Sequence, residues 1–489
     1  MSELASEPSK TAASTVAVVG GGVSGLAAAY RLRRLLGPGA RITVIEQSAT
    51  LGGKLRTVEL AGVRYDLGAE AFLNRRPEAV ALLTELGLAG DLVHPSGARS
   101  TVRAGGVLRR MPGRTVMGVP AGPESVRDLL SDNGLRAVEA EPELPPVELA
   151  GADVGLGALL RGRFGAELVD RLVDPLLGGV YAGGVDGLGL RAVLPALAAA
   201  LDRGAGSVTA AAAAALPAAE YTEAVPLFGT LRGGLGLLVR ALVDASDVDV
   251  RLGNPVRSLT RREHGWRLAL GAAAAGHAGP DAVLEVDAVL LAVPAPAARR
   301  LLDDVLPAAA ADFAAVELAS MAVVGLALPP GTRLPDSSGV LIGVGERHAD
   351  GTPFAAKAFT FSARKWDHLG AAEPVLVRGS VGRHGEPDAL RATDEELVRL
   401  VRADLAELTG IDAVPVDTAV TRWGGGLPQY GVGHLDLVDR IERAVAGVPG
   451  LAVAGAVLHG VGVPACIGTA DRAAAKLAAE LSRTPPPAP

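Results

Sequence analysis

The chain opens with an apolar, β-branched run at 15–19 that stops at glycine. Helical spacing follows, through Leu26, Ala29, Tyr30, Arg33 and Leu36, until Gly37-Pro38-Gly39 breaks it, and 42–45 is a second short apolar run. Strand, glycine turn, helix and strand in this order predict a βαβ unit with parallel pairing. Residues 87–157 change character: Pro-rich and acidic stretches, above all 139–146, predict a mobile surface loop. Residues 156–216 read as helical with Gly/Ala interruptions, and the low-complexity stretch 207–220 fits either a helix or a poorly ordered linker. Mixed strand and helix character returns after Leu227. The pattern predicts a helix over 237–245 and strands over 248–252, 256–259, 266–270 and 288–293, the last stopped by Pro294. Further strands are expected at 322–328 and 375–381, and an amphipathic helix at 394–408. Residues 451–455 form another buried strand, leading through glycines to a helix over 469–481. A glycine-rich strand-to-helix turn thus occurs at both ends, which predicts one nucleotide-binding domain assembled from both termini.

Composition narrows the class. A length of 489 residues predicts two or three domains. Hydrophobic residues at 49% and charged ones at 21% are ordinary for a globular protein. A net charge of -7 with no long basic run argues against nucleic acid as a partner. Arg31, Arg33 and Arg34 are spaced for the solvated side of the first helix. A single cysteine, Cys466, excludes an intrachain disulfide and agrees with a reducing compartment. Residues 1–15 lack the apolar core of a signal peptide, and no uninterrupted apolar stretch reaches the length of about 18 residues that suggests a membrane span. A cytoplasmic chain is the expectation.

The candidate chemistry lies in the glycines. Gly20-x-Gly22-x-x-Gly25 falls between strand and helix: Gly20 permits the turn, Gly22 lets a pyrophosphate approach the backbone, and Gly25 lets the helix pack on the strand. Gly21, Val23 and Ser24 complete the turn. Glu46, 21 positions after Gly25 at the end of the second strand, suits a ribose diol, with Gln47 beside it. NAD and FAD both fit to this point. Leu51-Gly52-Gly53-Lys54-Leu55-Arg56 favours FAD, since a second glycine pair allows another close backbone approach and Lys54 and Arg56 add positive charge. Gly68, Ala69, Glu70 and Ala71 read as a further contact with a ring system. Ser24 is not a nucleophile-elbow serine, because Leu26 breaks the G-x-S-x-G register. The eight histidines show no metal-ligand spacing. Cys466 reads as a small buried hydrophobe near the cofactor, with a reactive thiol as the alternative.

The segment from Gly20 to Arg56, taken with Gly455 to Ile467, resembles the amine-oxidase-like flavoproteins. Within them the chain looks like the protoporphyrinogen/coproporphyrinogen oxidase family. The motifs behind that resemblance run nearly the whole length: 68–73, Arg110-Met111-Pro112, Pro175-Leu176-Leu177-Gly178-Gly179-Val180-Tyr181-Ala182-Gly183, 231–235, Lys365-Trp366 and 427–434. Gly-Val-Tyr-Ala-Gly is the most family-specific of them. Gly184-Val185-Asp186 departs from the family, where a polar residue often follows that last glycine directly.

The resemblance implies an α/β fold: a Rossmann-type FAD domain built from 14–95, 228–298 and 440–485, a mainly helical domain over 96–227 covering the active site, and a mixed-sheet substrate domain over 299–439. Disordered tails are expected at 1–13 and 486–489. It implies non-covalent FAD, with Gly20 to Gly25 and Glu46 on the ADP half, Lys54 and Gly68 to Ala71 near the flavin, Val256 on the adenine side, and Ala456, Val461, Gly462 and Val463 bordering the isoalloxazine. By the same resemblance a porphyrinogen loses six electrons in three hydride transfers to the flavin, and dioxygen reoxidises it with release of hydrogen peroxide. No catalytic acid–base residue is required. Arg76 aligns with a basic position near a propionate, Arg75 being its competitor, and Gly179 and Gly183 either admit the macrocycle or serve a tight turn. Coproporphyrinogen III, with four propionates, is favoured over protoporphyrinogen IX, with two. Peripheral membrane contact and a transient contact with a ferrochelatase stay open. So do three other readings: a different amine-oxidase-like enzyme, a flavin-free chaperone-like relative and, least favoured, an NAD-dependent dehydrogenase.

Overall fold

The computed structural model describes residues 13–216, 226–271, 283–370, 373–386 and 388–483. Its centre is a five-stranded parallel sheet in the order Asp249–Arg251, Arg41–Ile45, Thr15–Val19, Ala288–Leu291, Leu451–Val453. The first and last segments of the chain therefore meet in one sheet. Val16, Val18 and Ala17 are wholly buried because both faces are covered. The helices Val23–Leu36, Gly236–Ser246 and Val463–Leu481 cover one face. The helices Ala295–Leu302, Pro307–Ala314 and His434–Ala446 cover the other. Residues 299–316 and 434–439, expected with the substrate domain, thus pack on the five-stranded parallel sheet: their apolar faces find its back.

A second body is a seven-stranded sheet in the order Asp417–Pro428, Leu318–Leu328, Val375–Val381, Ala356–Thr360, Gly339–Ile342, Thr101–Ala104, Val107–Arg110. All its pairings are antiparallel except Gly339–Ile342 with Thr101–Ala104. The hairpin 101–110 departs from the expected helical segment 96–227, for it extends this sheet. The remaining helices between 132 and 215 form a separate apolar cluster beside it.

Two loop-like readings change. Glu141, in the acidic stretch expected to be mobile, is 0% exposed. Its carboxylate pairs with Arg163 at 2.7 Å and accepts from the Val208 and Thr209 N–H groups at 2.8 and 3.1 Å. It satisfies the positive end of the alanine-rich helix Val208–Ala215, which settles the 207–215 part of the ambiguous stretch as helix. Composition alone cannot show a carboxylate recruited by a distant helix terminus. Glu141→Gln keeps the shape and removes the charge, so a loss of about 1–2 kcal/mol is expected in urea unfolding. Arg33, expected on a solvated face, donates to the carbonyls of Gly37, Ala40, Ser246 and Asp247 and ties two helix ends together. Residues 217–220 and the expected tails, apart from residue 13, lie outside the described residues.

Candidate active site

Gly20 adopts φ +107°, and a Cβ there would lie 2.3 Å from the Ala292 carbonyl oxygen. A Cβ on Gly25 would lie 1.9 Å from the Gly20 carbonyl oxygen. These positions are glycine because turn, strand and helix touch backbone to backbone. Gly22 differs: a Cβ there would meet nothing nearer than Gly53 Cα at 4.0 Å. Its missing side chain leaves open space before the N-terminus of Val23–Leu36, a helix with no side-chain cap and no acidic residue in its first turn. Free N–H groups at a positive helix end make a cradle for an anion. The second glycine pair closes the cradle: Gly52 N–H donates to the Gly21 carbonyl at 2.8 Å, and a Cβ on Gly53 would approach Gly22 Cα to 3.1 Å. Val23 is half-buried and Ser24 buried.

Glu46 stands at the rim. One carboxylate oxygen accepts the Gly21 N–H at 2.8 Å, and the other accepts from the Ser48 N–H and hydroxyl, each at 2.8 Å. Gln47 beside it is exposed. The backbone of Glu46 is bracketed by Arg251 and Asn254, at 2.9 and 3.1 Å. That brings buried Val256, two residues beyond Asn254, to the same side of the cradle. The Val256 carbonyl accepts from Arg300 at 3.3 Å.

A second uncapped helix begins nearby. Val463–Leu481 starts after Gly462, has no side-chain cap and no acidic residue in its first turn, and packs beside the opening helix. It is longer than the expected 469–481, because Pro464 sits within its first turn, where a missing N–H costs nothing. Cys466 is buried between the two helices, its thiol pushed up by burial and drawn back by Ser24 and Lys54. Lys54 is half-buried, and its ammonium makes no hydrogen bond to the described residues. Burial holds it below the ordinary lysine value. Two uncapped helix ends and an unpartnered ammonium converge here, a donor set that fits a pyrophosphate and an electron-rich ring.

The loop that carries Ala456 and Val461 is pinned from outside. The Tyr430 hydroxyl donates to the Ala456 carbonyl and accepts the Gly460 N–H at 2.9 Å. Its ring stacks on His434 at 3.9 Å and tilts against Tyr181 at 5.6 Å. His434 is pushed down to about 4 by burial and stays neutral. Sequence reasoning placed Tyr430 in a motif without a role, and no spacing rule points to its contact with Ala456.

Gly68 to Ala71 run against Lys54: the Ala69 N–H donates to the Lys54 carbonyl at 2.9 Å. Arg378 holds the Asp66 and Gly68 carbonyls at 3.0 Å each. The Glu70 side chain turns the other way. Its carboxylate accepts from Lys365 at 2.8 Å, Arg378 at 3.1 Å and Ser362 at 2.9 Å, joining the two bodies. Only the backbone at Glu70 is left for a bound ring.

The substrate candidates divide. Gly179 lies on the exposed side of the helix Asp174–Tyr181, where an added Cβ meets nothing. Gly183 backs onto Gln429, with a Cβ there 1.9 Å from its Oε1, and Gln429 donates to the Tyr181 carbonyl at 2.8 Å. Arg76 is elsewhere, at the start of the helix Pro77–Glu85, half-exposed and paired with Glu78 at 2.8 Å. No contact joins it to Gly179 or Gly183.

Comparison with known proteins bears on this geometry. Residues 23–478 match the family described as flavin containing amine oxidoreductase. The chain is 44% identical over 457 residues to coproporphyrinogen III oxidase of Mycobacterium tuberculosis, covering 93% of this chain and 95% of that one. Against the protein of the same name from Mycobacterium leprae, identity is 43% over 466 residues, covering 95% and 98%. A solved structure of a protein described as a putative protoporphyrinogen oxidase, from Exiguobacterium, superposes with a TM-score of 0.82 at 28% identity, covering 96% of this chain and 100% of that one. Over nearly its whole length, then, the chain belongs to the flavin-containing amine oxidoreductases, in the bacterial branch whose members are named coproporphyrinogen III oxidase.

Proposed function

We propose that this protein oxidises coproporphyrinogen III to coproporphyrin III, with dioxygen as the electron acceptor and hydrogen peroxide as co-product, using non-covalently held FAD. The observation that carries the reading is similarity to proteins of that name over 93% of this chain and 95% of theirs.

Gly20 to Gly25 and the opening helix would hold the pyrophosphate, and Glu46 with Gln47 the ribose. Val256 would border the adenine. Lys54, Gly68 to Ala71, Ala456 and Val461 to Val463 would surround the ring. The buried Cys466 thiol, raised above its usual value, is a poor nucleophile for a covalent tether, which supports non-covalent binding. When bound, the flavin supplies two-electron oxidation of the macrocycle. The protein contributes position: the positive ends near Lys54 favour negative charge on the ring, and the Tyr430 hydroxyl fixes the Ala456 loop against it. Gly179, Gly183 and Arg76 are the proposed substrate contacts. No helix among the described residues is long and apolar enough to cross a membrane, which is compatible with work in the cytoplasm and with passing product to a ferrochelatase.

The likeness to the Exiguobacterium structure keeps protoporphyrinogen IX as a second reading. Aerobic turnover with each porphyrinogen, following porphyrin fluorescence and peroxide, separates them. Faster oxidation of coproporphyrinogen III is the expected result. Equal or faster oxidation of protoporphyrinogen IX would overturn the preference, and a colourless protein that takes up no FAD would overturn the function.

A further inference from the structure

Lys357 sits at a bulge in the strand Ala356–Thr360, where its pairing with Val375–Val381 skips a residue. The residue is 5% exposed, and its ammonium has no hydrogen-bond partner among the described residues. The charge acting on it is a second cation, Arg383, just past the end of the neighbouring strand. Arg383 donates to Asp174 at 3.3 Å and to the Ile342 carbonyl at 3.4 Å. Asp174 is shared, since its other oxygen accepts the Val185 N–H at 2.9 Å. Arg383 therefore has part of one carboxylate, and the Lys357 ammonium has none.

The surrounding elements do not complete the balance. On the helix Asp394–Thr409, Asp404 is taken up by His348 and by the N–H groups of Ala355 and Ala356. On Val375–Val381, Arg378 is paired with Glu70. Asp170 and Asp186 are both paired with Arg161. The strand Gly339–Ile342 carries no titratable side chain. A buried ammonium without a partner is costly, and such a site is stable only as neutral amine or with an anion beside it.

The place is the wall between the large sheet and the helix Asp174–Tyr181. A Cβ on Gly178 would lie 3.3 Å from the Arg383 guanidinium. The His384 N–H donates to the Ala182 carbonyl at 2.6 Å, and Gly183 follows against Gln429. We propose that Lys357 and Arg383 form an anion subsite in this wall, taking a carboxylate borne by the porphyrinogen, an inference that rests on the function proposed above. A carboxylate there balances the second cation and gives Nζ charge-assisted hydrogen bonds. Burial and Arg383 hold the free amine at about 7, so it takes up a proton as the anion arrives.

The test is binding of coproporphyrin III to the FAD-loaded enzyme between pH 6 and 9, for wild type, Lys357→Met and Lys357→Gln. Wild-type affinity should weaken about tenfold as pH rises through the amine's titration. Both variants should bind about tenfold more weakly at pH 6 and show a flat profile, with coproporphyrinogen KM raised, kcat at saturation kept within about threefold and melting temperature unchanged or raised. Unchanged affinity and pH profile in the variants would sink the subsite. So would a fall in melting temperature in both, which would show that the amine serves the fold. Wild type that neither binds coproporphyrin III nor oxidises the porphyrinogen defeats the proposed function itself, whereas active wild type with unaffected variants defeats only the subsite.

Discussion

Gly22→Ala yields a folded protein that no longer holds flavin. The added methyl finds room in the polypeptide, its nearest neighbour being 4.0 Å away at Gly53 Cα, and the backbone at φ -75° suits alanine. It projects instead into the space before the N-terminus of Val23–Leu36, where the pyrophosphate of the proposed FAD would come within hydrogen-bonding distance of the amides. Losing two or three charge-assisted bonds there costs about 3–5 kcal/mol, a drop in affinity of 100-fold or more. The ratio of flavin to protein in the purified variant should fall below about a tenth of wild type, while the melting temperatures of the two flavin-free proteins agree within about 2 °C. Gly25→Ala should behave in the opposite way. Its methyl would lie 1.9 Å from a backbone oxygen, so the turn itself must move, and the flavin-free melting temperature should drop. Full flavin content in Gly22→Ala would show that the cradle does not hold the pyrophosphate.

That contrast also marks what a sequence can convey. The pattern Gly20-x-Gly22-x-x-Gly25 after a β-branched run specifies a local geometry, and the strand Thr15–Val19 and the helix beginning at Val23 follow it closely. Trp266–Leu270 and Val375–Val381 coincide with the expected strands for the same reason: period and burial are local signals. Partnership is not local. The hairpin 101–110 reads as part of a helical stretch until its pairing with Gly339–Ile342 is seen. Helix 295–302 carries an apolar face, but nothing in it says which sheet it covers. Glu70 lies in a segment expected near the flavin that runs beside Lys54, yet the direction of its carboxylate depends on Lys365 and Arg378, some 300 positions away. Lys357 is one residue in an apolar strand, and its lack of a partner exists only in three dimensions. The glycines of a site were therefore legible as backbone requirements, whereas its charged side chains were assigned by type, and the structure redirects several of them.

Glu70 carries the second large effect. Burial alone would push its carboxyl up, but Arg378 and Lys365 more than offset that and hold it at about 2, against an ordinary 4.5. Truncation to alanine strands two half-buried cations, and a loss of about 3 kcal/mol is expected in urea unfolding. Glu70→Gln isolates the charge and gives a signed dependence on pH. The folded carboxyl titrates below the unfolded one, so its contribution is full above about pH 4.5 and disappears as pH falls toward 2. A depression of that size corresponds to roughly 3 kcal/mol. Asp66 works in the opposite sense. Burial raises it to about 6 from 3.8, so its charged form costs stability above pH 6, and that cost is relieved as pH falls toward 4. Wild type should therefore gain stability from pH 7 to about 5 and lose it below about 4.5. Glu70→Gln should keep the gain on the neutral side and lose most of the acid-side fall. The difference between the two curves, measured by thermal or urea unfolding from pH 7 to pH 3, should narrow steadily below 4.5. Parallel curves would mean that the Glu70 charge does not clamp the flavin half to the large sheet. Because Arg378 also holds the Asp66 and Gly68 carbonyls, releasing it should loosen the Gly68–Ala71 segment, so flavin should dissociate faster from Glu70→Ala than from wild type even where both are fully folded.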